Sequence, residues 1–208
     1  MKRGRFITLE GGEGAGKTTA AALIERWLLE RGRTVVRSRE PGGTPAAEKI
    51  RHLLLDPETG ELDPMTELLL MFSARRENLV RMIEPALARG DDVLCDRFTD
   101  ASRAYQGGGR RLGIQLVNRL AALVHPGLEP DLTLLLDVSV ETGMQRVAGR
   151  GKAADRFEQS RTDFLERVRA AYLTQARLEP ERIVVIDADR SLAEVERQII
   201  RALERCLL

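Results

Sequence analysis

Apolar residues along the chain fall into two alternating patterns. Short runs at "RFITLE" (5–10), "RTVVRS" (33–38), "DVLCD" (92–96), "DLTLLLDV" (131–138) and "RIVVIDA" (182–188) predict five strands. Near-continuous apolar runs such as 131–138 suit a parallel sheet buried on both faces. Between the strands the apolar positions recur at helical spacing. Ala20, Leu23, Ile24, Trp27 and Leu28 mark a helix over 18–31, with Gly32 as its stop. Thr44-Pro45 and Asp63-Pro64 each place an N-cap residue before a proline at the first helical position. The second opens an apolar-rich helix over roughly 64–83, ending near Pro85. Further helices are predicted at 112–124, at 140–148, at about 160–177, and after the capping box formed by Ser191 and Glu194. Strands separated by helices imply right-handed βαβ units. The expected fold is α/β and three-layered, a five-stranded parallel sheet flanked by helices.

Composition narrows this picture. The 208 residues suit one domain over 1–208, and no repeat, low-complexity tract or linker divides them. The segment "AGRGKAADRFEQ" (148–159) contains glycine and is dense in charge, and is expected to be the mobile piece of the domain. Apolar residues make up 43% and charged residues 31%, while the net charge is only +1. That balance argues against a general nucleic-acid or membrane-surface binder. No apolar run approaches the ~18 residues of a membrane span. The apolar run of the basic N-terminus stops at Glu10, too short for a signal-peptide core, so a cytoplasmic protein is expected. Cys95 and Cys206 show no metal-site spacing and are expected to be reduced thiols.

The chemistry starts at "GGEGAGKTT". Gly11, Gly16, Lys17 and Thr18 satisfy G-x-x-x-x-G-K-[ST] between a strand and a helix, the context in which that pattern works. Glycines let the backbone N–H groups turn inward onto phosphate, and the helix N-terminus adds partial positive charge. Gly11, Gly12, Glu13, Gly14, Ala15, Gly16, Lys17, Thr18 and Thr19 form the expected ATP-binding loop of a P-loop NTPase fold. Lys17 is placed to bridge the β- and γ-phosphates and Thr18 to hold Mg²⁺. The loop alone leaves three uses open: a nucleotide kinase, a switch or motor ATPase, and a nucleic-acid-dependent ATPase.

Other motifs follow strands. "CDRF" (95–98) puts Asp96 and Arg97 at a strand's carboxyl end, where open α/β sheets gather ligands. Asp96 suits Mg²⁺ and Arg97 suits a phosphate clamp, with Asp137 competing for the metal role. "REPGGT" (39–44) is a rigid turn after a strand. "MFSARR" (71–76) spaces Phe72 and Arg76 at i and i+4. They read either as a base platform with a hydrogen-bonding partner, or as a core Phe with a surface Arg. "SRAYQGGGR" (102–110) reads as polar side chains before a flexible turn, either a ligand-lining loop or a plain surface loop.

In this order, "EGGEGAGKTT", "REPGGT", "LLLMFSARR", "CDRFTDASRAYQGGGR", "PDLTLLLDV" and "DRFEQ" resemble the bacterial thymidylate kinase family from about residue 5 to 200. The pair "REPGGT" and "AYQGGGR" carries the resemblance more specifically than the P-loop. It implies transfer of the γ-phosphoryl of ATP to dTMP, with Mg²⁺ as cofactor and a homodimer as the working form, and with no nucleic-acid or membrane partner. It implies that Phe72 stacks on thymine, Arg76 and Ser102 read the base, and Tyr105 and Gln106 line the sugar site. Arg51 and Arg97 would grip the acceptor phosphate, and Glu13 would accept from the sugar 3′-hydroxyl. The segment 148–159 would be the family's lid; some relatives carry an arginine at the place of Gly14, so the missing charge is expected from that lid, from Arg156 and Arg150. Arg103 has no assigned role, at the pocket mouth or in solvent. The alternatives are a kinase for another nucleoside monophosphate and a P-loop ATPase module driven by a macromolecular partner.

Overall fold

The computed structural model describes residues 3–149, 156–157 and 161–207. Most of the segment expected as a lid lies outside the described residues. One parallel sheet holds β1 (Phe6–Gly11), β2 (Val35–Arg39), β3 (Asp92–Asp96), β4 (Leu132–Asp137) and β5 (Ile183–Asp187) in the order β2-β3-β1-β4-β5. The central strand β1 is buried at every position and sets the register, with Phe6 opposite Val93 of β3 and Ile7 opposite Leu132 of β4.

The two-residue period of β1 divides its side chains between two cores. Ile7 and Leu9 pack with helices α1 (Lys17–Leu29) and α9 (Leu192–Leu207). Phe6 points the other way, into a cluster with Leu79, Ile83 and Phe98. Thr8 and Glu10 share that second face, and the Thr8 hydroxyl meets the Thr133 hydroxyl at 2.7 Å. The chain leaves β1 toward α1 on one face and leaves β3 toward the other face. A crevice therefore opens between the carboxyl ends of β1 and β3, the topological switch point of an open sheet.

The other helices are α2 (Pro45–Leu55), α3 (Pro64–Asn78), α4 (Glu84–Arg89), α5 (Thr99–Ser102), α6 (Ile114–Val124), α7 (Val140–Ala148) and α8 (Thr162–Leu178). Their starts follow the sequence signals. Thr44 accepts from the Ala47 amide, Asp63 from the Met65 and Thr66 amides, and Ser191 and Glu194 bond each other across the first turn of α9. Both cysteines are free thiols. No described helix is long and apolar enough to cross a membrane.

Two regions depart from the sequence reading. The helix expected to stop near Pro85 passes through a wide π turn at 79–83 and continues as α4 to Gly90, which adopts φ 89°. Pro85 falls in the first turn of α4, where a missing N–H costs little, and the π turn supplies the register change. The second region is 102–110, expected as a loop; residues 99–109 are instead helical, α5 followed by π turns over 103–109. Its glycines serve close packing rather than flexibility. A Cβ on Gly108 would lie 2.6 Å from the Ala171 Cβ of α8, and one on Gly109 would lie 2.6 Å from Phe164 and 2.8 Å from Val168. Arg103, assigned to neither mouth nor solvent, is buried and bonds Asp100 at 2.7 Å and Asn118 at 2.8 Å. It ties this helical run to α6.

Gly109→Ala will therefore overpack the seam with α8. The expected cost is about 1–3 kcal/mol, read as a Tm lower by several degrees in a thermal melt. An unchanged Tm would show that the seam is loose.

Candidate active site

A cavity of about 230 Å³ occupies the crevice between β1 and β3. The phosphate loop forms its floor. Gly16, at φ 89°, turns the chain into α1, and the Lys17 ammonium donates to the carbonyls of Gly11 at 3.2 Å and Gly12 at 3.1 Å. Burial, and after it the Arg97 charge, lower the Lys17 pKa. Gly14, at φ 70°, rests against Gly143 of α7, and a Cβ there would overlap the Gly143 carbonyl. A larger side chain at position 14, arginine included, does not fit this packing.

Tyr105 and Arg97 meet on the loop's carboxylate. Glu13 Oε1 accepts from the Tyr105 hydroxyl at 2.7 Å and from Arg97 Nη2 at 2.8 Å. The Arg97 guanidinium also lies 4.8 Å over the Tyr105 ring. Arg97 holds a left-handed φ of 69°, uncommon for a residue other than glycine and typical of constrained sites. Behind it, Arg97 Nη1 donates to the Tyr172 hydroxyl at 3.2 Å, which donates to Glu10 Oε2 at 2.7 Å. Glu10 Oε1 accepts the Phe98 amide at 2.7 Å. Burial, and then the Asp100 charge, raise the Glu10 pKa to about 8.

The far wall comes from α3 and the helical run after it. Met71 and Arg75 line the cavity, one helical turn apart. Arg75 is 2% exposed; its Nε donates to Glu40 at 2.6 Å, and its Nη2 donates to the Phe98 carbonyl and the Ser102 hydroxyl, both at 3.0 Å. Its Nη1 is buried without a hydrogen-bond partner among the described residues. Ser102, Tyr105, Gln106, Phe157 and Arg51 complete the lining. Arg51 donates to the Pro41 carbonyl at 2.9 Å, and burial, followed by Arg39, lowers its pKa.

The structure does not bring Phe72 and Arg76 to this cavity. They belong to the adjacent stripe of α3. Phe72 packs with Leu68, Val117 and Ala121 and stacks parallel to His125 at 6.4 Å. Arg76 is exposed, bonding the Val124 carbonyl at 3.1 Å and pairing with Glu84 at 3.5 Å. The i, i+4 pair that faces the crevice is Met71 and Arg75, shifted by one residue from Phe72 and Arg76. The core takes the aromatic because burying it against α6 removes the larger apolar surface from water.

The metal candidates separate in the same way. Both oxygens of Asp137 are held by Arg169, at 2.7 Å and 2.9 Å. Asp96 lines the cavity beside Thr18, and its Oδ1 is buried with no hydrogen-bond partner among the described residues. Of the two lid arginines, Arg150 lies outside the described residues. The Arg156 guanidinium is not over the phosphate loop. Its Nη2 donates to the buried Glu67 at 2.6 Å and its Nε to the Leu54 carbonyl at 2.8 Å.

A second cavity, of about 250 Å³, lies on the other side of the loop, between Gly14–Gly16, Arg146 of α7, Ala188–Arg190 after β5, and Leu192–Ile199 of α9. Arg146 spans it by donating to the Ala188 carbonyl at 3.1 Å. Apart from Gly14, Ala15, Gly16 and Thr19 of the expected ATP-binding loop, its lining residues carry no assignment from the sequence. The signal available was position, since "DADR" follows a parallel strand at its carboxyl end.

A phosphate-binding loop between two cavities, ringed by guanidinium groups, defines a P-loop phosphotransferase that handles two ligands at once. The thymidylate kinase family model matches residues 9–199. The chain is 58% identical to the thymidylate kinase of Chromohalobacter salexigens, over 96% of this chain and 94% of that one. It is 54% identical to that of Alkalilimnicola ehrlichii, over 100% and 94%. A crystal structure of thymidylate kinase from Ehrlichia chaffeensis superposes with a TM-score of 0.78 at 34% identity, covering 97% of this chain and 99% of that one. The chain belongs to the thymidylate kinase family.

Glu10 gives this site a pH signature. The folded protein holds a proton on Glu10 up to about pH 8, whereas the unfolded chain releases it near 4.5. Between those values the folded state binds more protons, so this group makes stability fall as pH rises, by at most about 1.4 kcal/mol per pH unit. Glu10→Gln removes that dependence. Its stability relative to the parent is expected to rise from pH 5 to pH 8 in denaturant titrations. A constant difference would place the Glu10 pKa near that of the unfolded chain.

Proposed function

We propose that the 230 Å³ cavity holds dTMP, that the second cavity holds the base of ATP, and that the γ-phosphoryl group passes between them across the phosphate loop. The observation that carries this reading is Arg75, a buried guanidinium on the cavity wall whose Nη1 amino group is unpaired among the described residues while its Nη2 bonds the Ser102 hydroxyl. A pyrimidine carbonyl oxygen is the acceptor that satisfies it. Met71, one turn away, offers a flexible apolar surface to the base. Glu13 and Tyr105 then meet the deoxyribose, with the carboxylate accepting the 3′-hydroxyl.

An oxygen of the acceptor phosphate attacks the γ-phosphorus, and the bond from that phosphorus to the β-phosphate oxygen breaks. ADP leaves with the bonding electrons. No strong base is needed, because the nucleophile is already an anion. The barrier is the repulsion of two polyanions in a water-poor site. Arg97 and Arg51 neutralise the acceptor phosphate, and Lys17 the donor. The unpartnered Asp96 Oδ1 and the Thr18 hydroxyl fit Mg²⁺, which would screen the donor phosphates when bound. With Arg156 bonded to Glu67, the further cation for the moving phosphoryl group falls to Arg150. The reaction is placed in the cytoplasm, where nucleoside phosphates are handled.

A coupled assay of ADP release with dTMP, dUMP, dCMP and AMP tests the activity. dTMP is expected to be the best acceptor. A preference for another monophosphate, or ATP turnover indifferent to dTMP, would overturn it. Arg75→Ala is expected to raise the dTMP KM by about tenfold or more, as loss of a charged hydrogen bond does. Arg76→Ala is expected to leave it near the parent value. The reverse result would restore the neighbouring stripe as the base site.

We also infer a homodimer. Met65 and Leu69, spaced i and i+4 on α3, are 38% and 48% exposed and supply an apolar face. Sedimentation equilibrium is expected to give twice the chain mass, and Leu69→Glu to give the monomer. A monomeric parent would remove this inference.

A further inference from the structure

The cavity-facing stripe of α3 begins with a charge that touches no expected ligand. Glu67, Met71 and Arg75 lie at i, i+4 and i+8 on one helix face. Glu67 is fully buried, at 0% exposure. Its carboxylate accepts from Gln106 Nε2 at 2.9 Å, from Arg110 Nη2 at 3.1 Å and from Arg156 Nη2 at 2.6 Å.

Those donors come from two separate stretches of chain, and both carry cavity walls. Gln106 lines the cavity itself. Arg156 precedes Phe157, whose ring also lines it and meets the Tyr105 ring edge-on at 5.7 Å. Arg156 is fixed further by its Nε on the Leu54 carbonyl at 2.8 Å and its amide on the Leu55 carbonyl at 3.1 Å. The Arg156 guanidinium lies 4.7 Å over the Phe157 ring. One carboxylate therefore joins α3, the end of α2, the helical run 103–109 and the chain around Phe157.

We propose that Glu67 is a positioning residue for the acceptor: it sets Gln106 and Phe157 against the nucleoside without touching it. The assignment rests on the reading of this cavity as the dTMP site. A carboxylate serving only the fold would affect both substrates alike or neither. One bonded to two walls of the acceptor cavity, and to none of the second cavity, affects dTMP selectively. Arg156 acts through the same contact and holds a wall in place.

The test is steady-state kinetics with each substrate varied in turn, on Glu67→Gln, Arg156→Gln and the double variant. Folding is checked by thermal melts. In Glu67→Gln the dTMP KM is expected to rise about tenfold, the order expected for loss of a charged hydrogen bond, with the ATP KM within about twofold. Arg156→Gln is expected to shift the dTMP KM in the same direction. The double variant is expected to lose less than the product of the two, as members of one network do. A folded Glu67→Gln with unchanged dTMP KM overturns the proposal, and so do fully multiplicative losses. A fall in kcat of a hundredfold or more in Arg156→Gln at unchanged dTMP KM also overturns it, because Arg156 would then act on the phosphoryl group. If Glu67→Gln does not fold, Arg156→Gln decides by the same criteria. Arg75→Ala separates the two levels of inference. A normal dTMP KM in that variant removes the cavity assignment, whereas a raised one beside a normal Glu67→Gln removes the role of Glu67 alone.

Discussion

A guanidinium group does not sit inside a protein unless an anion sits beside it, because the desolvation cost of a lone buried charge exceeds what packing returns. That constraint orders this structure. A site that joins two polyanions needs several cations turned inward, and each must be held while the protein folds. Glu13 holds Arg97 at 2.8 Å, Glu40 holds Arg75 at 2.6 Å, and Glu67 holds Arg156 at 2.6 Å. Asp100 repeats the device below the site with Arg103 and Arg182, each at 2.7 Å. The net charge of +1 is thus not a sign that electrostatics are idle. It reflects a chain in which most functional cations carry a structural anion with them.

The sheet places its acidic side chains in order. Glu13 follows the carboxyl end of β1, Glu40 follows β2, and Asp96 ends β3, while Glu10 within β1 holds its proton up to about pH 8. Parallel strands bring all of these ends to one edge, so residues far apart in sequence converge without any long loop. The alternation within β1 adds a second layer. Its apolar residues on one face anchor α1, and with it the phosphate loop. On the opposite face Glu10 reaches Arg97 through the Tyr172 hydroxyl. Packing and charge placement are therefore read from the same six residues.

The strands, the caps and the phosphate loop were legible because each depends on local pattern. What was not legible depended on choosing between neighbours. On α3, the stripes 67/71/75 and 68/72/76 have the same spacing, and each contains an arginine. Sequence offers an aromatic as the attractive partner for a base. The fold spends that aromatic on the contact with α6 and gives the cavity a methionine. Gly108 and Gly109 misled for a related reason. A run of glycine signals either freedom or close approach, and only the position of α8 decides that it is the latter at these two residues. The wall of the second cavity beyond the phosphate loop went unread because its side chains, among them Arg146, Arg190, Leu192, Val195 and Ile199, form no motif of their own.

The same logic links the phosphate loop to the chain beyond α7. Gly14 is pressed on Gly143, so the loop has no room for a side chain that would bring positive charge to the transferring group. The loop gives up that option in exchange for tight docking of α7, whose Arg146 walls the second cavity. The charge must then come from elsewhere, and the nearby guanidinium of Arg156 is already committed to Glu67. An arginine held by a buried carboxylate and two carbonyls is well suited to fix a wall and poorly suited to move. On the proposed reading, holding the acceptor and stabilising the phosphoryl group in flight are therefore tasks for different arginines, because a group that must be free for one is bound by the other.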